Sequence, residues 1–225
     1  MENKYIDAFL DCVVWQFKRS DIMTVSKEEK TLSNIFIETF PKMSFLLRKA
    51  IVLNITLKDN SHFQLFCWEN NNSIGGWLCR CSEGIDTNIV HLDILKKEIG
   101  TIVESWGFED VREDVICNMN MVLGDDYQCG IGDLNDYYIE SCDYENLQPK
   151  IKDEDYIVIA EESNGNLTLC NKDNEKIILF ASDHCFDYVT VYDGCPEYTF
   201  YTINDVHSLV DYFELVAQQW LSYLK

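Results

Sequence analysis

The second half of the chain carries five short segments with the composition of β-strands. They are rich in β-branched and aromatic residues, and they read YIVIA (156–160), NLTLC (166–170), KIILFA (176–181), YVTVY (188–192) and EYTFYTI (197–203). The turns between them are short, whereas a parallel crossover needs about a dozen residues or more. Consecutive segments are therefore expected to pair antiparallel, as a meander.

The segment YIVIAEESNGNLTLC (156–170) shows the strongest turn signal in this series. Its Asn164-Gly165 pair suits a tight hairpin turn that requires positive φ. Ile157, Ile159, Leu167 and Leu169 predict one buried sheet face, because alternate residues of a strand point to the same side.

The first part of the chain mixes helical and strand patterns. Apolar residues from Ile6 to Phe17 repeat at helical spacing, and Ser26 with Glu29 forms a capping-box pattern that predicts a second helix ended by Pro41. A hairpin with a third strand is predicted from AIVLNITL (50–57), HFQLFCWE (62–69) and GGWLCRC (75–81).

Two more helices are predicted in the middle and at the end of the chain. Apolar residues from Leu92 to Trp106 indicate a helix stopped by Gly107, and those from Val206 to Leu224 indicate a closing helix capped by Asn204. The predicted class is α+β, a mostly antiparallel sheet packed by helices. Residues 1–225 are expected to form one domain; the alternative is an N-terminal α/β subdomain (1–100) followed by a second domain (101–225).

Charge is distributed very unevenly along the chain. The net charge is −21; residues 1–103 hold 13 acidic and 12 basic residues, whereas residues 104–225 hold 26 acidic and 6 basic ones. An acidic field of this size repels nucleic acid and anionic membranes and attracts a basic protein, and it also promotes solubility.

The cysteines and the hydropathy bear on the compartment. The 10 cysteines have irregular spacing, and no apolar run approaches the roughly 20 residues that span a bilayer. We expect a cytoplasmic protein with reduced thiols and without a signal peptide.

Motifs for catalysis or metal binding are sparse. His184 lies in SDHCFD (182–187), where adjacent strand residues would diverge, which favours a turn over a Cys–His nucleophile. Cys79 and Cys81 lack the second ligand pair that a zinc site requires, and GDDYQCGIGD (124–133) lacks the spacing of a calcium loop. We expect no enzymatic activity, metal or cofactor; a small hydrolase that uses the His184 region is the alternative.

The order of elements after Asp155 has a recognisable form. A strand ending in Ala160 leads through a polar turn with Gly165 to NLTL, then to KIILF, YTFY and the closing INDVHSLVDYFELVAQQWL. This last third of the chain resembles the C-terminal half of the SUKH superfamily, named for a yeast cell-wall-synthesis regulator and its relatives. The resemblance implies an α+β fold with helices on a mostly antiparallel sheet. Many bacterial members are immunity proteins that neutralise secreted polymorphic toxins, often nucleases, and the family shares no catalytic residues.

Acids and tyrosines interleave near the middle of the chain, which is the composition of an interface with aromatic anchors. Because a nuclease toxin has a basic groove, an inhibitor that presents acids there competes with phosphates. We therefore expect an immunity protein for a basic, nuclease-type toxin, with a regulatory or scaffold protein as the alternative; neither nucleic acid nor membrane is expected as a partner. The predicted partner-binding residues are Asp125, Asp126, Tyr127, Asp133, Asp136, Tyr137, Asp143, Glu145, Glu161 and Glu162, with Tyr138 and Tyr144 exposed among them.

Overall fold

A computed structural model of the chain describes residues 3–70, 73–81, 87–107, 118–121, 130–183 and 188–224. The α-helices in these ranges are α1 (Asn3–Cys12), α2 (Asn34–Thr39), α3 (Pro41–Leu47), α4 (Val90–Ile99), α5 (Leu134–Tyr144) and α6 (Leu209–Tyr223). The strands are β1 (Ile22–Glu28), β2 (Ile51–Leu57), β3 (His62–Glu69), β4 (Ile74–Arg80), β5 (Thr101–Trp106), β6 (Asn118–Met121), β7 (Tyr156–Glu162), β8 (Leu167–Asn171), β9 (Ile177–Phe180), β10 (Val189–Val191) and β11 (Phe200–Ile203).

The described strands pair antiparallel in the order β1-β2-β3-β4-β5-β6-β7-β8-β9-β11-β10. The short strand β6 joins the array β1–β5 to the array β7–β11, and a single residue pair, Ile102 with Met121, connects it to β5. The predicted α+β class and the β2–β3–β4 hairpins are confirmed. The predicted meander is confirmed through β9, but β11 rather than β10 lies next to β9.

The prediction of a helix from Ser26 was wrong. Ser26 lies in the edge strand β1, which pairs with β2, and Glu29 follows that strand. Helix α2 begins instead after Ser33, whose hydroxyl accepts a hydrogen bond from the Phe36 N–H. The predicted end at Pro41 agrees with the structure, since α2 stops at Thr39 with Phe40 as its cap, and Pro41 then occupies the first turn of α3, where its missing N–H is tolerated.

Two other helix boundaries differ from the prediction. Gly100, with φ of +68°, ends α4, and the chain continues as β5 up to the residue before Gly107. Helix α6 begins after Ser208, whose hydroxyl accepts a hydrogen bond in the first turn, so Asn204 is not its cap.

The strands between the two edge strands β1 and β10 contribute buried residues to three apolar clusters on the two faces of the sheet. The first core packs α2, α3, α4 and α6 on one face and includes Phe36, Met43, Phe66, Trp77, Leu92, Ile157, Leu179 and Phe213. The second core lies under α1 on the other face and includes Ile6, Phe9, Leu53, Leu65 and Leu78. The third core lies under α5 and includes Tyr138, Cys142, Val158, Leu169 and Phe180.

The β7–β8 hairpin contributes to both faces of the sheet, so the prediction of one buried face was wrong. Ile157 and Ile159 belong to the first core, whereas Leu167 and Leu169 belong to the third. Strands that are covered on both sides read as continuous apolar runs, which explains why alternation alone was misleading.

Helix α6, at the end of the chain, packs against residues of the first half of the chain. Its Trp220 ring lies 5.0 Å from the ring of Trp68 and 5.2 Å from that of Trp77, measured between centroids. The carboxylate of Glu214 accepts hydrogen bonds from the backbone N–H groups of Lys42 and Met43, in the first turn of α3. A side chain of α6 therefore supplies the N-terminal hydrogen bonds that α3 lacks internally.

Within the described ranges, none of the helices combines the length and the apolar character that crossing a bilayer requires.

Candidate partner-binding surface

One face of helix α5 fixes it on the third core. Tyr138 and Cys142, four residues apart, are fully buried there, and the Tyr138 ring lies edge-on to Phe200 at 4.8 Å. The Tyr138 hydroxyl accepts hydrogen bonds from the N–H groups of Lys150 (2.9 Å) and Ile151 (3.2 Å). Burial raises the pKa of Tyr138, so its hydroxyl stays protonated. The rotation of α5 about its axis is thereby set.

The opposite face of α5 presents acids and tyrosines to solvent. Residues three, four and seven positions apart share a helix face, and the outward set is Asp133, Asp136, Tyr137, Glu140, Asp143 and Tyr144. The exposed fraction is 89% for Tyr144 and 38% for Tyr137. Glu145, also exposed, follows at the end of the helix. No lysine or arginine occurs from Gly130 to Glu145, so the charge of this surface is uniformly negative.

A cleft of about 390 Å³ separates the C-terminal half of α5 from the turn before β11. Its lining consists of Tyr137, Glu140, Ser141, Tyr144, Glu145, Pro196 and Glu197, and we name it the acidic cleft. Carboxylates form short, strong hydrogen bonds with guanidinium and ammonium groups, and phenol rings attract cations to their faces. The acidic cleft therefore suits a basic side chain of a partner.

The acids of α5 are not compensated within the described part of the chain. No ion pair there involves Asp133, Asp136, Glu140, Asp143 or Glu145. Asp136 and Glu140 are four residues apart, where like charges repel, and Asp143 lies in the last turn, where the helix dipole disfavours a negative charge. Asp133 and Asp136 lie at the N-terminal end of α5, where the helix dipole favours a negative charge, so helix formation leaves only Glu140 and Asp143 unexplained.

The structure brings together five of the predicted partner-binding residues. Asp133, Asp136, Tyr137, Asp143 and Glu145 lie on α5 or at its ends, and all are exposed. The remaining predicted residues of the acidic loop, Asp125, Asp126 and Tyr127, lie outside the described residues.

Three other predicted residues do not lie on this surface. Tyr138 is buried, so the prediction that it is exposed was wrong, and Glu162, a predicted partner-binding residue, is buried as well. The Glu162 carboxylate accepts a hydrogen bond from the Asn166 side chain (3.2 Å), which ties together the ends of the β7–β8 turn. Glu161 is half-buried on β7, and no hydrogen bond between described residues links it to α5.

The lining of the acidic cleft includes residues that the sequence prediction missed. Glu140 could have been found from its helical spacing to Asp136 and Tyr137. Pro196 and Glu197 could not, because they reach the cleft only through tertiary packing.

The residues considered for catalysis or metal binding do not form a site in the described structure. His184 and Cys185 lie outside the described residues, and Asp183 is exposed. Burial raises the pKa of Cys79 and also that of Cys81, so neither thiol is activated as a thiolate. Over the described ranges, no group of three or more His, Cys, Asp or Glu side chains could hold a metal ion.

Comparisons of the chain with known protein families, with curated proteins and with solved structures found no match in any of the three.

Proposed function

We propose that this protein binds and neutralises a basic protein, as an immunity protein against a nuclease-type toxin. The observation that carries the proposal is the outward face of α5, where acids and tyrosines border the acidic cleft and none of the acids has an ion-pair partner among the described residues. The order of β7, β8, β9, β11 and α6 supports grouping residues 155–225 with the SUKH superfamily as part of the same proposal.

The chemistry of this surface matches the needs of a nuclease inhibitor. A nuclease must hold basic groups where phosphates bind, and an acidic surface there excludes the nucleic acid by competition. Long-range attraction speeds association at low ionic strength, while Tyr137 and Tyr144 offer rigid apolar area for short-range contact.

The first test is co-expression with the toxin encoded by the gene next to its own. Cells that carry both genes are expected to survive under conditions in which the toxin alone kills. If cells die equally fast with and without this protein, the proposed function is wrong.

The second test locates the interface. The triple variant Asp136→Asn, Glu140→Gln, Asp143→Asn removes three charges from α5 and keeps the size of each exposed side chain. Its association rate with the toxin, measured by stopped flow at low salt, is expected to fall about tenfold and to lose much of its salt dependence.

The matched control is Asp11→Asn, Glu29→Gln, Glu38→Gln, which makes the same change in net charge at exposed positions in the first half of the chain. It is expected to keep the wild-type rate. Equal slowing of both triple variants would show that only net charge matters and that α5 is not the interface.

A further inference from the structure

The antiparallel ladder between β9 and β11 stops after two residue pairs. Phe180 pairs with Phe200 and Leu179 pairs with Tyr201, but Ile178 and Ile177 are not paired with the residues that follow on β11. Both strands remain paired on their outer sides, with β8 and with β10. The two strands therefore diverge inside the sheet, away from either edge.

The alternation of the ladder identifies the backbone groups that face this gap. In β8–β9 the Asn171 N–H bonds the Lys176 carbonyl, so the polar groups of Ile177 point away from β8. In β10–β11 the Asn204 N–H bonds the Tyr188 carbonyl, so the Ile203 N–H points away from β10, while the Ile203 carbonyl accepts a hydrogen bond from the Val206 N–H at 3.1 Å. The next hydrogen-bonded pair of β9–β11 would be Ile177 with Ile203, and this pair is not formed.

The gap opens into a cleft of about 860 Å³, which we name the interstrand cleft. Its walls include Ile177, Ile178, Thr202 and Ile203 together with Tyr156 and Val206. All of these except Thr202 are buried, so the cleft has an apolar floor. The start of α6 is held to the segment before β9, because the Leu209 N–H donates a hydrogen bond to the Glu175 carbonyl at 3.0 Å.

Two lysines line this cleft together with two acids, Asp193 and Asp205, so it lacks the excess of acids found on the outward face of α5. Lys150 and Lys176 are two of the 6 lysines and arginines in residues 104–225, and His207 also lines the cleft. Lys150 forms an ion pair with Asp193 at 2.9 Å, which neutralises that acid. Among the described residues, no side chain pairs with the Lys176 ammonium group, and Asp205 is the remaining acid of the lining.

We propose that the interstrand cleft binds the C-terminal end of an extended peptide with apolar side chains. The N–H groups of Ile177 and Ile203 donate to the peptide, the Ile177 carbonyl accepts from it, and Lys176 pairs with the terminal carboxylate. A simple aliphatic carboxylate could contact the apolar floor and pair with the Lys176 ammonium group, but it has no N–H group to donate to the Ile177 carbonyl. This site is separate from α5 and does not depend on the proposed function.

The ligand-free protein provides the first test, by amide hydrogen exchange. The amides of Ile177 and Ile203 are expected to exchange much faster than those of Leu179 and Tyr201, which lie in the formed part of the ladder. Equal protection at these four positions would show that the gap is closed and would overturn the proposal.

The second test is a titration followed by amide NMR shifts. The probe is a pool of N-acetyl dipeptides of Val, Leu and Ile with free C-termini, compared with the same pool as C-terminal amides and with hexanoate. The free-acid pool is expected to shift the amides of Ile177 and Ile203 at millimolar concentration, and the other two probes to bind about tenfold more weakly. No shift, or equal binding of free acids and amides, would refute the site.

Lys176→Glu is expected to weaken binding of the free-acid pool about tenfold or more, and to leave binding of the amide pool nearly unchanged. Lys152→Glu is the matched control, because Lys152 is exposed nearby but does not line the cleft. Equal loss with both variants would attribute binding to general charge and overturn the role of Lys176.

Discussion

The hydrogen bonds between α3 and α6 make the stability of the first core depend on Glu214, the side chain of α6 that accepts them. Its carboxylate accepts from Lys42 N–H at 3.0 and 3.1 Å and from Met43 N–H at 3.0 Å. Loss of a helix cap costs about 1 kcal/mol, and loss of a negative charge at a helix N-terminus costs about 0.3–1 kcal/mol more. Glu214→Ala is therefore expected to lower the free energy of unfolding by about 2 kcal/mol.

Chemical denaturation followed by circular dichroism measures this change. Glu214→Gln keeps an acceptor oxygen for the hydrogen bonds and removes only the charge. Its free energy of unfolding is therefore expected to fall by about half as much as that of Glu214→Ala. Gln218→Ala, at an exposed position of the same helix, is the control and is expected to change stability by less than about 0.5 kcal/mol. If Glu214→Ala has the same free energy of unfolding as this control, the hydrogen bonds between Glu214 and α3 do not contribute to stability. The energetic link between α6 and α3 is then refuted.

Three further changes test the anchoring of α5, a helix end and a buried acid. Tyr138→Phe removes the acceptor of two backbone N–H groups and is expected to cost about 1–3 kcal/mol in thermal unfolding, with faster amide exchange in α5 than in wild type. Gly100→Ala places a Cβ 2.2 Å from the Arg80 carbonyl oxygen at positive φ, so a loss above about 2 kcal/mol is expected; a stable variant would contradict this geometry. Burial raises the pKa of Glu104, so ionisation of this carboxyl opposes folding as the pH rises. Glu104→Gln is therefore expected to stabilise the protein at pH 7 but not below about pH 4, where the carboxyl of the wild type is protonated. An equal gain in stability at both pH values would exclude titration of Glu104 as the cause.

Local patterns predicted the strands better than the helix boundaries, for a physical reason. The Ser26–Glu29 spacing occurs both in capping boxes and in polar edge strands, and pairing of β1 with β2 decided between them. Apolar residues at 99, 102, 103 and 106 fit a helix, but Gly100 adopts a positive φ that ends α4, and the same residues then continue in β5. Single-sequence periodicity does not include that backbone conformation.

The candidate surface was predictable only where its residues are close in sequence. Asp136, Tyr137 and Asp143 were selected by composition alone, whereas helix α5, which places them on one face, was not predicted. Glu197 joins them across the acidic cleft through the packing of α5 on β11, which no local pattern contains. Glu162 was misassigned because its burial depends on neighbouring strands rather than on its own charge.

The contact of Trp220 with Trp68 and Trp77 gives the molecule a built-in optical reporter. Indole rings within 5.2 Å of one another couple their strong far-ultraviolet transitions, and this produces a paired positive and negative circular dichroism signal that isolated rings lack. Two of the rings lie on neighbouring strands and the third on α6, so the signal should change when α6 detaches, even while β3 and β4 remain paired. Detachment of that helix can therefore be followed without an introduced label.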